Sequence, residues 1–309
     1  MKYIVTGGAG FIGSHIVEAL ANRGDEVVIL DNLFSGKKKN IEPFLDGKRV
    51  SFVNGSVTDP EILRTAFSGA DGIFHEGAIA SVPRSIANPR ATNDANVTGT
   101  LNVLIAAREC SVKKIVFASS SSVYGNTLTL PKQEDMIPAP LSPYAVSKLT
   151  GEYYLRVFSE VYGLKTVSLR YFNVFGPRQD PKSEYAAVIP KFITSILAHT
   201  SPTIYGDGEQ TRDFTYVKDV VQANIRAMES SAQGVYNVAY CQRINLKELA
   251  TRIMAITGIT VPLNFEASRA GDVKDSLADI SRASVAFGYA PAYTVTTGLE
   301  ETIAWYRNQ

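Results

Sequence analysis

The sequence predicts an α/β protein: a doubly wound parallel sheet with a smaller, discontinuous C-terminal lobe over its carboxyl edge. Three observations carry that prediction. A glycine-rich turn lies directly behind the first apolar run, six short apolar runs alternate with helical patterns through the first half, and the rhythm becomes loop-rich after Asn173. Strands that are apolar throughout are buried on both faces, which requires helices on both sides.

Tyr3-Ile4-Val5 reads as the first strand, and the spacing of Phe11-Ile12, Ile16-Val17 and Leu20 reads as a helix. Between them, Thr6-Gly7-Gly8-Ala9-Gly10-Phe11-Ile12-Gly13 places glycines at Gly7, Gly10 and Gly13. Such a turn lets backbone N–H groups and a helix N-terminus approach a pyrophosphate with no Cβ in the way. Strand, glycine turn and helix together are the Rossmann-like arrangement for a dinucleotide. Val27–Leu30 is the second strand and closes on Asp31, whose carboxylate suits a ribose diol and repels a 2′-phosphate. NAD is therefore expected rather than NADP, and Lys37, Lys38 and Lys39 read as a solvated loop face.

Val50–Val53 is the third strand, Gly72–His75 the fourth, Ile115–Ala118 the fifth and Thr166–Arg170 the sixth. Helices are expected over Pro60–Phe67, Ala91–Cys110 and Tyr144–Tyr162. Beyond Asn173 the pattern gives a helix at Val188–Leu197, a strand at Thr203–Tyr205 and a helix at Val217–Met228. Val235–Val238 reads as a strand returning to the main sheet. Asn245-Leu246-Lys247-Glu248 reads as a capping box opening another helix, and a last helix covers about Thr297–Tyr306. The expected division is a Rossmann domain over 1–172 and about 214–241, and a second lobe over 173–213 and about 242–309.

With 31 Lys and Arg against 30 Asp and Glu in 309 residues, the net charge is +1, so no global field favours nucleic acid or an anionic membrane. No apolar run is long enough to span a bilayer, and no secretory signal pattern opens the chain. A cytoplasmic protein is expected, with Cys110 and Cys241 reduced. His15, His75 and His199 are isolated from one another and from any cysteine pair, so no metal site is expected.

Two further constellations carry chemistry. In Tyr144-Ala145-Val146-Ser147-Lys148 the four-residue spacing puts a phenol and an ammonium on one helix face. A free tyrosine titrates at about 10, and lowering it by ~3 units takes ~4 kcal/mol of differential stabilisation. A nearby lysine and a nicotinium ring both favour the phenolate, giving a base usable near neutrality. Ser119-Ser120-Ser121-Ser122-Val123-Tyr124-Gly125 ends the fifth strand, where hydroxyls can donate, accept and relay protons.

Together these segments resemble the extended short-chain dehydrogenase/reductase family over essentially the whole chain. Asn96-Val97-Thr98-Gly99-Thr100 and Leu169-Arg170-Tyr171-Phe172-Asn173-Val174-Phe175-Gly176-Pro177 match it. So do Gly206-Asp207-Gly208-Glu209-Gln210-Thr211-Arg212-Asp213-Phe214 and Arg269-Ala270-Gly271-Asp272, which look like its nucleotide-sugar signature. The chain looks most like the UDP-hexose 4-epimerases. Ser81-Val82-Pro83-Arg84-Ser85 and Arg178-Gln179-Asp180-Pro181 are similar to the branch acting on N-acetylated UDP-sugars as well as UDP-glucose.

The resemblance implies tightly bound NAD, a UDP-sugar substrate and a homodimer through the helices near Ala91–Cys110 and Tyr144–Tyr162. It makes Tyr144 the base, Lys148 its electrostatic partner and Ser120 a sharer of the sugar O4 proton. It places the cofactor against Gly7, Gly10, Phe11, Ile12, Gly13, Asp31, Asn32, Ser35, Gly36, Ser56, Val57, Ala78, Asn96, Tyr144, Lys148 and Tyr171, with Asn96 supporting the lysine through water. It places the substrate against Ser81, Arg84, Ser121, Ser122, Asn173, Ala187, Val188, Tyr205, Arg212, Arg269, Asp272 and Ser276. Arg212 and Arg269 would clamp the diphosphate, Asp272 would bind the uridine ribose, and a small residue at Ser276 would leave room for an acetamido group.

The chain departs from the family pattern twice: Ser56 replaces an adenine-pocket aspartate, and His75-Glu76-Gly77-Ala78 replaces an apolar turn. Glu76 reads either as an acceptor for nearby N–H groups or as a group that tunes the cofactor. Rival activities are a UDP-glucuronic acid 4-epimerase, in which Arg84 or Arg178 would meet a carboxylate, and a nucleotide-sugar dehydratase or decarboxylase, which would favour acidic residues where Ser121 and Ser122 stand. A non-catalytic NAD-binding regulator is the third, although such proteins often lose the tyrosine–lysine pair that this chain keeps.

Overall fold

A computed structural model describes residues 1–181, 187–267 and 274–309. The central sheet holds β1 (Lys2–Thr6), β2 (Glu26–Asp31), β3 (Val50–Asn54), β4 (Gly72–His75), β5 (Lys114–Ser120) and β6 (Lys165–Tyr171). The short β7 (Val174–Phe175), β8 (Thr203–Tyr205), β9 (Thr211–Asp213) and β10 (Thr215–Tyr216) follow, and β11 (Gly234–Val238) returns to the sheet. All seven sheet strands are parallel, in the order β11-β6-β5-β4-β1-β2-β3. The strand order reverses between β1 and β4, and ligands of such sheets bind at the carboxyl ends flanking that point.

Alternate residues of each strand feed two cores. Tyr3, Val5, Val27, Ile29, Phe74 and Val116 face α1 (Phe11–Asn22) and the later α8 (Val217–Glu229). Ile4, Val28, Leu30, Ile73, Ile115 and Phe117 face α2 (Pro60–Phe67) and the helices that follow β4. Both faces being covered explains the uninterrupted apolar runs. Local signals set the helix ends. The Asp59 side chain accepts from the N–H groups of Glu61 and Ile62 ahead of Pro60, and Ser142 caps α6 (Pro143–Tyr162) ahead of Pro143. Gly163 closes α6 in the left-handed conformation that suits glycine.

After β4 come α3 (Val82–Ala87), α4 (Pro89–Asn93), one π-helical turn at Asp94–Thr98 and α5 (Gly99–Glu109). The single helix expected over Ala91–Cys110 is thus interrupted. The interruption falls where the Asn96 side chain is tied by hydrogen bonds in both directions to the Ile79 backbone, at 2.8 and 3.2 Å. Such turns are frequent at functional sites.

A third core gathers Phe175, Phe214 and Tyr216 with α7 (Val188–Leu197), α9 (Leu246–Thr257) and, after α10 (Ser281–Phe287), α11 (Val295–Arg307). Two small sheets pair β9 with β12 (Arg243–Asn245) and β8 with β13 (Asn264–Glu266). Asn245 caps α9 by accepting from the Glu248 N–H at 2.7 Å. The expected reciprocal half of that box is replaced: Glu248 instead takes the Arg252 guanidinium one turn on. Ala283 and Phe287 of α10 and the following Tyr289 join the core under the main sheet.

Candidate active site

The glycine turn forms the floor of a cleft of about 400 Å³. Gly7 sits at φ +66°, and a Cβ there would come within 2.7 Å of the Gly77 backbone, which closes from the end of β4. A Cβ on Gly13 would come within 2.3 Å of the Gly7 carbonyl. The two glycines therefore let α1 start directly on the turn. Gly10 is the N-cap and no side chain caps it, so the first N–H groups of α1 face the cleft lined by Phe11, Ile12 and Gly13. This is an anion-binding end.

Asp31 stands at the far wall. Its two oxygens accept from the N–H groups of Ala9 at 3.0 Å and Leu33 at 2.7 Å. Burial raises the Asp31 carboxyl above the usual range, and those two bonds oppose the rise. Gly36 leaves the carboxylate open, because a Cβ at that position would lie within 2.9 Å of both oxygens. Asn32, Ser35, Ser56 and Val57 line the same end, and the Ser56 hydroxyl is shared with Thr58 at 2.8 Å. A two-phosphate ligand with a ribose at this wall fits these groups.

At the other end α6 delivers Tyr144 and Lys148, β6 delivers Tyr171, and the segment after β4 delivers Glu76 and Ala78. Lys148 Nζ donates to the Ala118 carbonyl at 2.8 Å and lies 5.9 Å from the Tyr144 ring centroid. Burial pulls this ammonium down to about 8, and Glu76 opposes the fall. Burial raises the Tyr144 phenol, its hydrogen bond with Ser120 pulls it back, and Glu76 adds to the rise. The Lys148 ammonium donates to a carbonyl, and Ser120 is the group that hydrogen-bonds the phenol. The Asn96 side chain holds Ile79 and donates to Ser147 Oγ at 3.0 Å, making it a clamp between the β4 loop and α6.

A second cavity of about 260 Å³ is lined by Asn173, Ala187, Val188, Tyr205 and Arg212. Arg212 Nη1 donates to the carbonyls of Thr211 and Lys274. Asn173, at φ +34°, donates to the Asp213 carbonyl at 3.0 Å and to Ser276 Oγ at 3.1 Å. Ser120 accepts from the Ser122 N–H at the start of the 3₁₀ turn Ser121–Tyr124, and the Ser122 hydroxyl is buried without a partner. Ser81 caps α3, and the Arg84 guanidinium lies 5.7 Å over the Phe34 ring. Arg269 and Asp272 lie outside the described residues.

Several cleft residues were not anticipated. Lys37 is not simply solvated: it lines the cleft and pairs at 3.0 Å with Asp180, which lines it too. Arg178, another lining residue, pairs with Glu18 at 2.6 Å and lies 5.4 Å from the Phe44 ring centroid. Gly77 and Ile79 follow β4 at the point where strand order reverses, a position that would have signalled them. Glu76 accepts a phenolic O–H, from Tyr171 at 2.8 Å.

Fold and site together define a dinucleotide-dependent enzyme that carries a tyrosine–lysine pair at one end of its cleft. Residues 3–239 match the model of the NAD dependent epimerase/dehydratase family. The chain belongs to that family, and NAD is its cofactor. It is 39% identical over 307 residues to a putative UDP-glucose 4-epimerase of Methanocaldococcus jannaschii, covering 99% of this chain and 98% of that protein. The structure of a UDP-N-acetylglucosamine 4-epimerase from Methanobrevibacter ruminantium M1, in complex with UDP-N-acetylmuramic acid, matches with TM-score 0.96 and 43% identity, covering 100% and 98% of the two chains. A UDP-glucuronic acid 4-epimerase from Bacillus cereus, in complex with UDP-glucuronic acid and NAD, matches with TM-score 0.93 and 32% identity, covering 100% and 99%.

Proposed function

We propose that this enzyme is a 4-epimerase of UDP-hexoses, acting on UDP-glucose/UDP-galactose and on the N-acetylated UDP-hexosamines. The observation that carries this reading is the convergence of Tyr144, Ser120 and Lys148 at one end of a cleft whose other end is Asp31, with the Asn173–Arg212 cavity in the second lobe. Bound NAD supplies the hydride acceptor for the sugar C4 and the donor that reverses the step, so the net reaction is redox-neutral.

The protein's part is proton transfer and grip. Tyr144 takes the O4 proton and returns it, with Ser120 bonded to the phenol oxygen as relay. Lys148 places a positive charge beside the ring, and a cationic nicotinamide is the remaining charge that favours the phenolate. Arg212, together with Arg269, grips the diphosphate, and Asp272 takes the uridine ribose. Held by its nucleotide, the sugar is left loose enough to present its opposite face between the two proton transfers.

Arg178 is committed to Glu18 and Arg84 lies over Phe34, which disfavours a uronic acid carboxylate as their partner. Ser121 and Ser122 offer no acid–base carboxyl pair for elimination. We also propose a homodimer that pairs the exposed stripe Val146, Tyr153, Val157 and Val161 of α6 with its symmetry mate.

The test is incubation with UDP-N-acetylglucosamine, UDP-glucose and UDP-glucuronic acid followed by separation of the 4-epimers. Conversion of the first two is expected, and exclusive conversion of the uronic acid overturns the assignment. Tyr144→Phe should lower kcat by about 10²–10⁴-fold while UDP still binds, as measured by steady-state rates and calorimetry.

A further inference from the structure

We infer that Glu76 is a charge-setting residue of the reaction centre. Its carboxylate is a built-in counter-ion both to Lys148 and to the cationic ring of oxidised NAD, and it holds the bound cofactor toward its oxidised form. The inference rests on the assignment of the Tyr144–Lys148 end of the cleft to the nicotinamide.

The carboxylate is held in place from several sides. The Glu76 N–H donates to the Thr6 carbonyl at 3.1 Å, which fixes the residue beside the end of β1. The side chain lines the cleft with Tyr144, Lys148 and Tyr171. Its Oε1 accepts the Tyr171 hydroxyl at 2.8 Å. That hydroxyl in turn accepts from Asn224 Nδ2 at 2.8 Å, and the same amide nitrogen donates to the Val220 carbonyl at 2.8 Å. A fixed charge of this kind acts without having to reorganise.

The groups facing Glu76 come from every neighbouring element. Tyr144 and Lys148 come from α6, Tyr171 from β6, Asn224 from α8 and His75 from β4. His75 is neutral: burial, and then Lys148, pull it down to about 3, and its ring nitrogens are engaged by Thr6 and Thr100. Among the described residues Glu76 is the only carboxylate that acts on Lys148. Burial pushes the Glu76 carboxyl up to about 7, with the Tyr171 bond and Lys148 opposing.

Charge balance gives the function. With oxidised cofactor and Tyr144 as phenolate, the ring and Lys148 carry two positive charges, and Glu76 and the phenolate two negative. After a hydride reaches the ring and the O4 proton reaches the phenolate, only Lys148 and Glu76 remain charged. The centre is neutral in both states, as a partly desolvated site requires. Without Glu76 it carries an extra positive charge throughout, which penalises the cationic ring most directly and makes the bound cofactor easier to reduce.

The test uses the NAD-loaded enzyme with no sugar present. The bound cofactor is equilibrated against redox dyes of known potential and read at the reduced-nicotinamide absorbance. Glu76→Gln keeps an acceptor for Tyr171 and removes the charge; it is expected to shift the reduction equilibrium toward the reduced form by tenfold or more, about 30 mV for a two-electron couple. Tyr171→Phe removes the bond that holds Glu76 ionised against burial, and is expected to shift the equilibrium in the same direction by less than Glu76→Gln does. Equal equilibria in wild type and Glu76→Gln overturn the inference. Turnover of UDP-sugars by the wild type tests the substrate assignment separately.

Discussion

Ser276 and His75 show how much a single side chain carries here. The Ser276 hydroxyl accepts from Asn173, a lining residue of the second cavity, so a bulkier group at 276 must displace that contact. Ser276→Tyr is expected to cut kcat/KM for N-acetylated UDP-sugars about 10- to 100-fold and to spare UDP-glucose, as measured by parallel steady-state assays. Equal losses on both would remove the volume argument. His75 sets a pH dependence of stability. The native ring holds its proton only below about 3, whereas the unfolded ring takes one below about 6.5. Between those values the unfolded chain binds the extra proton, so stability falls as pH drops, by about 1.4 kcal/mol per pH unit. Urea unfolding at stepped pH should show a His75→Asn profile shallower by that one-proton slope.

At the scale of elements, three pieces of backbone that carry the site are joined beneath it by one buried ion pair. Glu152 of α6 accepts Arg170 Nε at 2.9 Å and Nη2 at 2.8 Å, and Ser119 of β5 donates to the same carboxylate. Arg170 precedes Tyr171 on β6, Ser119 precedes Ser120, and Glu152 lies one turn beyond Lys148. Glu152→Leu leaves the guanidinium charged and buried, and should cost about 3–5 kcal/mol in urea unfolding. Replacing both partners with methionine should cost much less. None of this network was legible in the sequence, because Ser119, Glu152 and Arg170 are far apart in the chain and belong to no common motif. What was legible was what local chemistry dictates: the glycine turn, the two-sided apolar strands, and helix starts such as Asp59-Pro60. The π-helical turn was hidden because Asn96 is recruited by Ile79, a tertiary partner that periodicity does not reveal. The roles of Lys37 and Glu76 were hidden for the same reason, since Asp180 and Tyr171 reach them from distant segments.

At the scale of the whole molecule, the proposed dimer turns on the stripe along α6. Val157→Glu puts a charge in the middle of it and is expected to give a monomer by light scattering, with the unfolding midpoint dependent on protein concentration only in the wild type. The same helix carries Tyr144 on another face, so that monomer should also turn over more slowly. The segment after β7 has a consequence of its own. Arg178 reaches Glu18, Asp180 reaches Lys37, and the Gln179 carbonyl receives the Tyr306 hydroxyl, so α1, the loop after β2 and α11 are all laced to one short stretch beside the dinucleotide groove. A coenzyme lying there is bordered by this stretch. Under the proposed epimerisation the oxidant is regenerated in every cycle and need not be traded with the surrounding pool, and this lacing suits a molecule that keeps one copy through many turnovers.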